Sequence, residues 1–333
     1  MLEKLVSKKS AIFAVFLIIT LFILLIVSGA GYTSTSDFYL GNWMSAVDDD
    51  IALRDIVMPG SHDAATYESK FFDDTQDLSI YEQLNIGTRY FDLRVMDALT
   101  GNKEKHENLR MYHGIIPTPT TFYTVATEIR EFIEKEKSEF LILDFQHFRN
   151  QPHEQIVEII EEVLSPDKYA LKRSNNVSQT TMADIRKMKA RYIITWGSYS
   201  SYVDLEKDYI HYRQDTLFSP YQVSFHNQTN QRLIQDGFDN YYSLQDERLF
   251  VLQSQKTGNM SDITTLSPYA NELKFAPYAA QFINSLKTNA RLECTNIIMR
   301  DFLNTDKTTA IIELNLHKDT IKKSYIKRLK SIL

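Results

Sequence analysis

The sequence predicts an α/β fold, because short apolar runs suited to buried strands alternate with segments of helical periodicity. Strands separated by helices pair in parallel, and eight strand–helix units favour closure into a barrel. We therefore predict a distorted TIM-like (β/α)8 barrel preceded by an N-terminal hydrophobic helix. The predicted strands cover residues 56–58, 90–95, 110–112, 139–146, 191–195, 222–225, 249–253 and 296–300.

Helices are predicted between these strands from the spacing of apolar side chains. Segment 122–137 is the clearest, because Phe122, Val125, Ile129 and Phe132 recur on one helical face. Gly87 follows the first predicted helix, at the position where glycine commonly ends a helix. The predicted helices cover residues 80–86, 122–137, 153–164, 182–188, 276–286 and 308–316.

The first thirty residues form an N-terminal signal peptide or a membrane anchor. Lys4, Lys8 and Lys9 precede an uncharged run at 11–27, which is typical of both segment types. As a helix this run is about 26 Å long, slightly short of a hydrocarbon core of ~30 Å. Small residues at 28–30 suit a cleavage site, so both interpretations stay open. Either one predicts an extracytoplasmic location, secreted or anchored, with a linker at 31–40 and one domain at 41–333.

Composition limits the classes of partner. A chain of 333 residues with 43% apolar residues is ample for one barrel, which needs roughly 250 residues. The net charge of −6 argues against nucleic acid. The same acidity means that contact with anionic lipid has to be local and aromatic. Cys294 is the only cysteine, which excludes internal disulfides and cysteine-based metal sites. No segment gives a clear oligomerisation signal.

Polar residues follow three of the early strands. His62 and Asp63 come just after an apolar run that Pro59-Gly60 interrupts. Asp92 and Arg94 lie on the second strand, and His113-Gly114 end the third. Because barrel proteins carry their chemistry at the carboxyl ends of the strands, we expect these side chains to converge there.

These motifs resemble a known family. Pro59 to Asp63, Gly87 to Arg94, His113-Gly114 and the segment Cys294 to Phe302 occur in the order found in the X domain of phosphatidylinositol-specific phospholipase C. The last segment is similar to the final barrel strand of the small X-domain-containing proteins. The resemblance runs from about Asn42 to the C-terminus.

The resemblance implies a two-histidine mechanism. His62 would accept the proton of the inositol 2-hydroxyl, whose oxygen would attack the adjacent phosphorus. His113 would protonate the departing diacylglycerol oxygen, which would leave inositol 1,2-cyclic phosphate. Imidazoles titrate near neutral pH and therefore suit both tasks.

The resemblance also implies a metal-independent enzyme that needs no cofactor. Calcium-dependent relatives carry a carboxylate at the position of Arg94 and an asparagine at that of Asp63. Here the guanidinium of Arg94 would hold the phosphate in place of the cation. Asp63 would act with His113, Asp301 would orient His62, and Asp92 would hold Arg94 or His62.

Structural interpretations stand beside these catalytic roles. Arg94 and Asp92 would also suit a structural ion pair, and Asp301 a cap on the following helix. His113 would also suit a core position. The remaining histidines are interpreted as surface or structural residues: His106, His147, His153, His211, His226 and His317.

The head-group pocket is predicted to include Gln146, Trp196 and Gln253, which match the family pattern only loosely. Trp196 suits either a sugar-stacking position or core packing. Phe71 and Phe72 suit either membrane insertion or packing under their own loop.

The favoured function is cleavage of phosphatidylinositol or its glycosylated form, with a phospholipid substrate and a membrane surface as partners. The alternatives are a phosphodiesterase for a different lipid head group, a non-catalytic X domain that binds inositol lipids, and a metal-dependent hydrolase.

Overall fold

A computed structural model describes residues 39–68, 74–99, 105–173, 176–197, 207–220, 238–239, 246–256 and 267–332. The predicted N-terminal helix, the pair Phe71-Phe72 and the predicted strand at 222–225 lie outside these residues. Among the helices of the described residues, none combines the length and apolar character that crossing a bilayer requires.

Eight of the strands in the described residues pair in parallel to form a curled, barrel-like sheet whose spatial order follows the chain. The described strands are β1 (Met58–Ser61), β2 (Tyr90–Asp97), β3 (Leu109–His113), β4 (Ile116–Thr121), β5 (Leu141–Arg149), β6 (Tyr192–Trp196), β7 (Ile210–Tyr212), β8 (Leu217–Phe218), β9 (Leu249–Gln253) and β10 (Ile297–Arg300). Their order is β7-β6-β5-β2-β1-β10-β9-β8, so the two ends of the sheet are strands that adjoin in sequence. The predicted TIM-like fold class is confirmed, with a gap in the pairing between β7 and β8 within the described residues.

The prediction that residues 110–112 form the third parallel strand of the barrel is wrong. Residues 109–113 do form a strand, but β3 runs antiparallel to β2 and makes a hairpin with β4 outside the parallel order. The fifth and sixth barrel positions belong to β7 and β8, whereas the one strand predicted between those at 191–195 and 249–253 was placed at 222–225. Strands of three and two residues are too short to show an apolar period.

Helices cover the outside of the sheet. Those at 80–85, 122–135, 153–159, 182–188, 268–286 and 305–317 overlap predicted helices, whereas the four other described α-helices, each of seven residues or fewer, were not predicted. The described α-helices are α1 (Ile80–Asn85), α2 (Lys105–Asn108), α3 (Phe122–Lys135), α4 (His153–Ile159), α5 (Pro166–Tyr169), α6 (Met182–Met188), α7 (Arg213–Thr216), α8 (Pro268–Leu286), α9 (Thr305–His317) and α10 (Ile326–Ile332). A π-turn, Ile160–Leu164, continues α4 to the predicted end. Helix α8 begins eight residues before its predicted start, because Ser267 caps it and Pro268 occupies its first turn.

Alternation along the strands separates the apolar core from the polar interior. Phe91, Leu93 and Val95 of β2 face outward into a core that includes Val125 and Ile129 of α3. The residues between them, Tyr90, Asp92 and Arg94, therefore face inward. The interior of the curled sheet is therefore lined by side chains that can carry charge.

A buried ion pair closes the amino end of β2. The Nη2 atom of Arg89 lies 2.6 Å from Oε2 of Glu139, and both side chains are fully buried. Arg89 also donates to the carbonyl oxygen of Gly41, and Glu139 accepts from the backbone N–H of Met44. The pair therefore attaches the 3-10 helix Leu40–Ala46 to the sheet.

Candidate active site

His62 lies directly beyond β1, between the ends of two neighbouring strands. Its backbone N–H donates to the carbonyl oxygen of Arg300 at the end of β10. Its Nδ1 lies 2.7 Å from Oδ1 of Asp301, and its Nε2 lies 3.3 Å from Nη2 of Arg94. Parallel pairing of β1 with β2 and β10 thus places a carboxylate on one ring nitrogen and a guanidinium on the other.

The charges around His62 determine its protonation. Burial by itself lowers the pKa of His62, but the carboxylates of Asp63 and Asp301 outweigh burial and Arg94, and raise the pKa to about 9. The imidazole of the free protein therefore carries a proton at neutral pH, and its Nδ1–H donates to Asp301.

Arg94 is held between two buried carboxylates. Its Nη2 lies 2.9 Å from Oδ2 of Asp92, and its Nε forms an ion pair with Oδ1 of Asp63. Burial raises the pKa of Asp63, but Arg94 and the two histidines outweigh burial, and the net pKa is lowered. Asp63 is thus an anion throughout the neutral range.

His62, Asp63 and Asp92 also bring their ligand atoms within 4.8 Å of one another, a grouping that can hold a metal ion. In this arrangement the guanidinium of Arg94 pairs with both carboxylates. The guanidinium therefore already offsets part of the negative charge that would attract a metal ion.

The β3–β4 hairpin brings His113 to the same carboxylate. Nε2 of His113 lies 3.4 Å from Oδ2 of Asp63, and the side chain is 26% exposed. Nε2 of His62 lies 3.8 Å from the same oxygen. Asp63 therefore stands between the two imidazoles, and the exposure of His113 excludes a core position.

His62, Arg94 and His113 line one cavity of about 380 Å³. Its wall also contains residues from β5, β9 and the loops beyond the strands: Gln146, His147, Gly197, Arg213, Ser219 and Gln253. The size suits a small polar group such as a phosphorylated sugar.

A bulge in β5 explains why two consecutive residues reach this cavity. Asp92 pairs with Asp144 and Leu93 with Phe145, but Arg94 pairs with His147, so the register shifts by one residue. Gln146 accepts from Nη2 of Arg94 at 3.2 Å. His147, which we interpreted as surface or structural, therefore belongs to the cavity.

Gly197 lines the cavity at a position where no larger residue fits. A Cβ there would lie 2.4 Å from the carbonyl oxygen of Gln146, closer than any real contact. Glycine thus permits the end of β6 to approach the bulge of β5.

Arg213 is a cavity residue that sequence reasoning missed. Its Nε donates to Asp144 at 2.9 and 3.0 Å, and Tyr90 and Thr195 donate to the same carboxylate. Its Nη2 is buried and has no hydrogen-bond partner among the residues that the structure describes. The only sequence signal was a buried aspartate in β5 that needed a cation.

The other predicted site residues divide between cavity, support and core. Gln253 lines the cavity, and Asp92 lies behind Arg94. Asp301 does not cap α9, because Asn304 performs that task. Trp196 is 3% exposed and stacks on Phe145 and Phe148, so core packing accounts for it and the sugar-stacking interpretation does not.

The fold and this residue set define an α/β-barrel protein with a histidine–arginine site at the carboxyl ends of its strands. Residues 50–197, just under half of the chain, match the family model described as phosphatidylinositol-specific phospholipase C, X domain. This part of the chain therefore matches the model of that family, and the resemblance stated from the motifs is confirmed.

Individual relatives agree with the family model. The chain is 32% identical to 1-phosphatidylinositol phosphodiesterase of Listeria monocytogenes over 115 residues, which are 32% of this chain and 33% of that protein. It is 30% identical to human PI-PLC X domain-containing protein 1 over 157 residues, which are 37% of this chain and 47% of that protein. The matches thus span a third to a half of these relatives.

Solved structures share the fold over a larger part of the chain. The phosphatidylinositol-specific phospholipase C of Listeria monocytogenes superposes with a TM-score of 0.65 at 19% identity, covering 84% of this chain and 99% of that one. A variant of the Staphylococcus aureus enzyme gives a TM-score of 0.61 at 14% identity, covering 85% and 98%. At these identities the likeness concerns the fold.

Proposed function

We propose that this protein cleaves the phosphodiester of phosphatidylinositol, or of its glycosylated form, to diacylglycerol and inositol 1,2-cyclic phosphate. The observation that carries the proposal is the convergence of His62, Arg94 and His113 on one cavity. A phosphatidylinositol phosphodiesterase among the relatives supports the substrate class.

His62 is the base in this proposal. Its Nδ1–H donates to Asp301, which leaves Nε2 toward Arg94 and the cavity. The unprotonated Nε2 takes the proton of the 2-hydroxyl, and the oxygen forms its bond to phosphorus within the same molecule. Because the pKa of His62 is about 9 in the free protein, the reactive neutral form grows as the pH rises toward that value.

Arg94 and His113 complete the displacement. The guanidinium donates to a phosphate oxygen and balances the charge that develops there. As the bond from phosphorus to the glycerol oxygen breaks, the protonated His113 gives its proton to that oxygen. Oδ2 of Asp63, 3.4 Å from Nε2 of His113, holds the ring in place for this transfer. The displacement thus uses groups of this chain, and we propose that it needs no metal ion.

A phosphorus NMR assay tests the proposal. Phosphatidylinositol in mixed micelles is incubated with the protein and excess chelator, and the products are followed over time. We expect the resonance of a five-membered cyclic phosphate to appear. Absence of turnover with and without added calcium would refute catalysis and favour an X domain that only binds lipid; turnover that requires calcium would favour a metal-dependent hydrolase.

A second candidate is a phosphodiesterase for a different lipid head group. The observation that favours it concerns Gln253, which lines the cavity, is hydrogen-bonded to Ser219 and Gln255, and matches the family pattern only loosely. A panel of phospholipid head groups under the same assay separates the two candidates. Cleavage confined to inositol lipids would eliminate the second.

A further inference from the structure

Gln76 connects the two strand ends that carry His62 and Asp301. Its side chain is almost fully buried, with 1% of the residue exposed. The Nε2 amide donates to the carbonyl oxygens of His62 and Arg300, each at 3.0 Å. The Oε1 atom accepts from the backbone N–H of Leu303 at 3.0 Å. One side chain thus bonds to the backbone on both sides of the His62–Asp301 contact.

Thr75 adds a second connection at the same place. Its hydroxyl lies 3.0 Å from the carbonyl oxygen of His62, and its own carbonyl accepts from the N–H of Phe302 at 2.7 Å. Phe302 has φ +46°, a left-handed conformation that costs free energy for a residue with a side chain. The backbone after Asp301 is therefore held by contacts from the 75–76 segment.

Strand pairing alone does not fix the histidine and the carboxylate relative to each other. The last paired residues of β1 and β10 are Ser61 and Arg300, so His62 and Asp301 lie one position beyond the ladder. The N–H of His62 still bonds to Arg300, but no ladder bond reaches Asp301. The amide of Gln76 supplies the missing cross-connection.

We propose that Gln76 is a positioning residue that holds His62 and Asp301 in hydrogen-bonding register. Gln76 does not line the cavity, so it acts through the pair and touches no substrate. The inference rests on the proposed function for its effect on turnover, although its effect on His62 is measured without substrate.

The test is the pKa of His62, followed by NMR of the imidazole in Gln76→Met. The charged groups facing His62 are Asp63, Asp92, Asp301 and Arg94, with His113 on the far side of Asp63. Loosening the contact with Asp301 weakens the attraction that raises the pKa. We expect the pKa to fall by about one pH unit or more toward the ordinary value.

Gln83→Met is the matched control. Gln83 is fully buried, and its Nε2 donates to the carbonyl oxygens of Ala64 and Leu78 at 2.8 and 2.7 Å. Its loss removes a comparable buried amide but no contact with the ends of β1 and β10. We expect the pKa of His62 to stay at its wild-type value in this variant, and an equal fall in both variants would overturn the proposal.

A double-mutant cycle separates positioning from general destabilisation. In an Asp301→Asn background the partner carboxylate is already gone, so Gln76→Met should lower the pKa of His62 little further. A full additional drop would contradict a role that runs through Asp301. If Gln76→Met does not fold, Gln76→Asn, which is too short to bridge the three backbone groups, takes its place with the same expected direction.

Activity gives an independent readout. If the proposed function holds, Gln76→Met should lower kcat about tenfold or more with KM nearly unchanged, as expected for a misplaced base. A protein without phospholipase activity whose His62 pKa still depends on Gln76 would refute the function and keep this inference. An active protein in which the pKa of His62 does not change on replacement of Gln76 would refute this inference and keep the proposed function.

Discussion

His62 shows how neighbouring charges outweigh burial at a single residue. A buried imidazole without partners loses its proton more easily than one in water. Here two carboxylates reverse that tendency, and one of them, Asp63, is shared with His113. The two histidines thus receive different surroundings: His62 is enclosed, whereas His113 is partly open to solvent. In the proposed reaction this difference separates the base from the acid.

Replacing His62 by glutamine should abolish most of the activity. General base catalysis typically contributes a factor of about 10²–10⁴, so we expect kcat to fall by that range. His106→Gln is the control, because His106 is partly exposed and stacks on Tyr123 away from the cavity. The measurement is phosphatidylinositol turnover in micelles. A His62→Gln protein with wild-type kcat would eliminate His62 as the base.

Asp301→Asn should move the pH dependence of the reaction. Removing this carboxylate lowers the pKa of His62, because one of the two charges that raise it is lost. The rising limb of kcat/KM against pH reports the base of the free enzyme and should therefore shift to lower pH. The exposed Asp50→Asn serves as control. If the rising limb of the kcat/KM profile does not shift, a group other than His62 determines its pH dependence.

At the scale of secondary-structure elements, the hairpin and the bulge place side chains that the barrel strands alone would not. The β3–β4 hairpin pairs with the end of β2 and carries His113 to Asp63. The bulge in β5 turns both Gln146 and His147 toward the cavity. The bulge depends on pairing between β2 and β5, which lie far apart in the chain, whereas the hairpin pairs strands that follow one another in sequence.

The Arg89–Glu139 pair should be the most sensitive ionic contact between elements. Glu139→Gln leaves the Arg89 guanidinium buried without its counter-charge, which typically costs about 3 kcal/mol or more. Urea unfolding measures this loss. The control is Glu134→Gln, which removes an exposed partner of Arg130 within α3 and should leave the midpoint unchanged. Equal midpoints for Glu139→Gln and the wild type would contradict the structural role of the pair.

At the scale of the whole molecule, His62 should make stability depend on pH. Its pKa of about 9 in the folded protein exceeds the ordinary value of 6.5. Its contribution is therefore fully present below pH 6.5 and is lost as the pH rises through 9. By linkage the difference corresponds to at most about 3 kcal/mol.

The measurement compares urea unfolding of the wild type and His62→Gln at pH 6 and near pH 10. We expect the free-energy difference between the two proteins to shrink at the higher pH. The comparison cancels other titrations, such as that of Lys318, whose pKa burial lowers to about 8 and whose effect has the opposite sign. A difference that stays constant with pH would show that the pKa of His62 is not raised on folding.

Sequence patterns predicted those features that depend on neighbours along the chain. Helices α3 and α6 lie where apolar spacing and end signals predicted them. His62, Asp63 and Arg94 follow or lie on recognisable barrel strands, so their approach to one another was predictable. The hairpin that carries His113 to Asp63 was not, because the sequence predicted a barrel strand there. Gln76, His147 and Arg213 were not predictable, because a loop, a bulge and two very short strands place them.

By itself, the sequence determined the barrel class, the family motifs and the identity of the charged residues, because each of these depends on residue types and their spacing along the chain. Only the tertiary structure decided the hairpin outside the barrel, the burial of Trp196, the bulge in β5 and the cross-connection through Gln76. These features arise from packing and hydrogen bonding between different segments of the chain, whose relative placement no local pattern specifies.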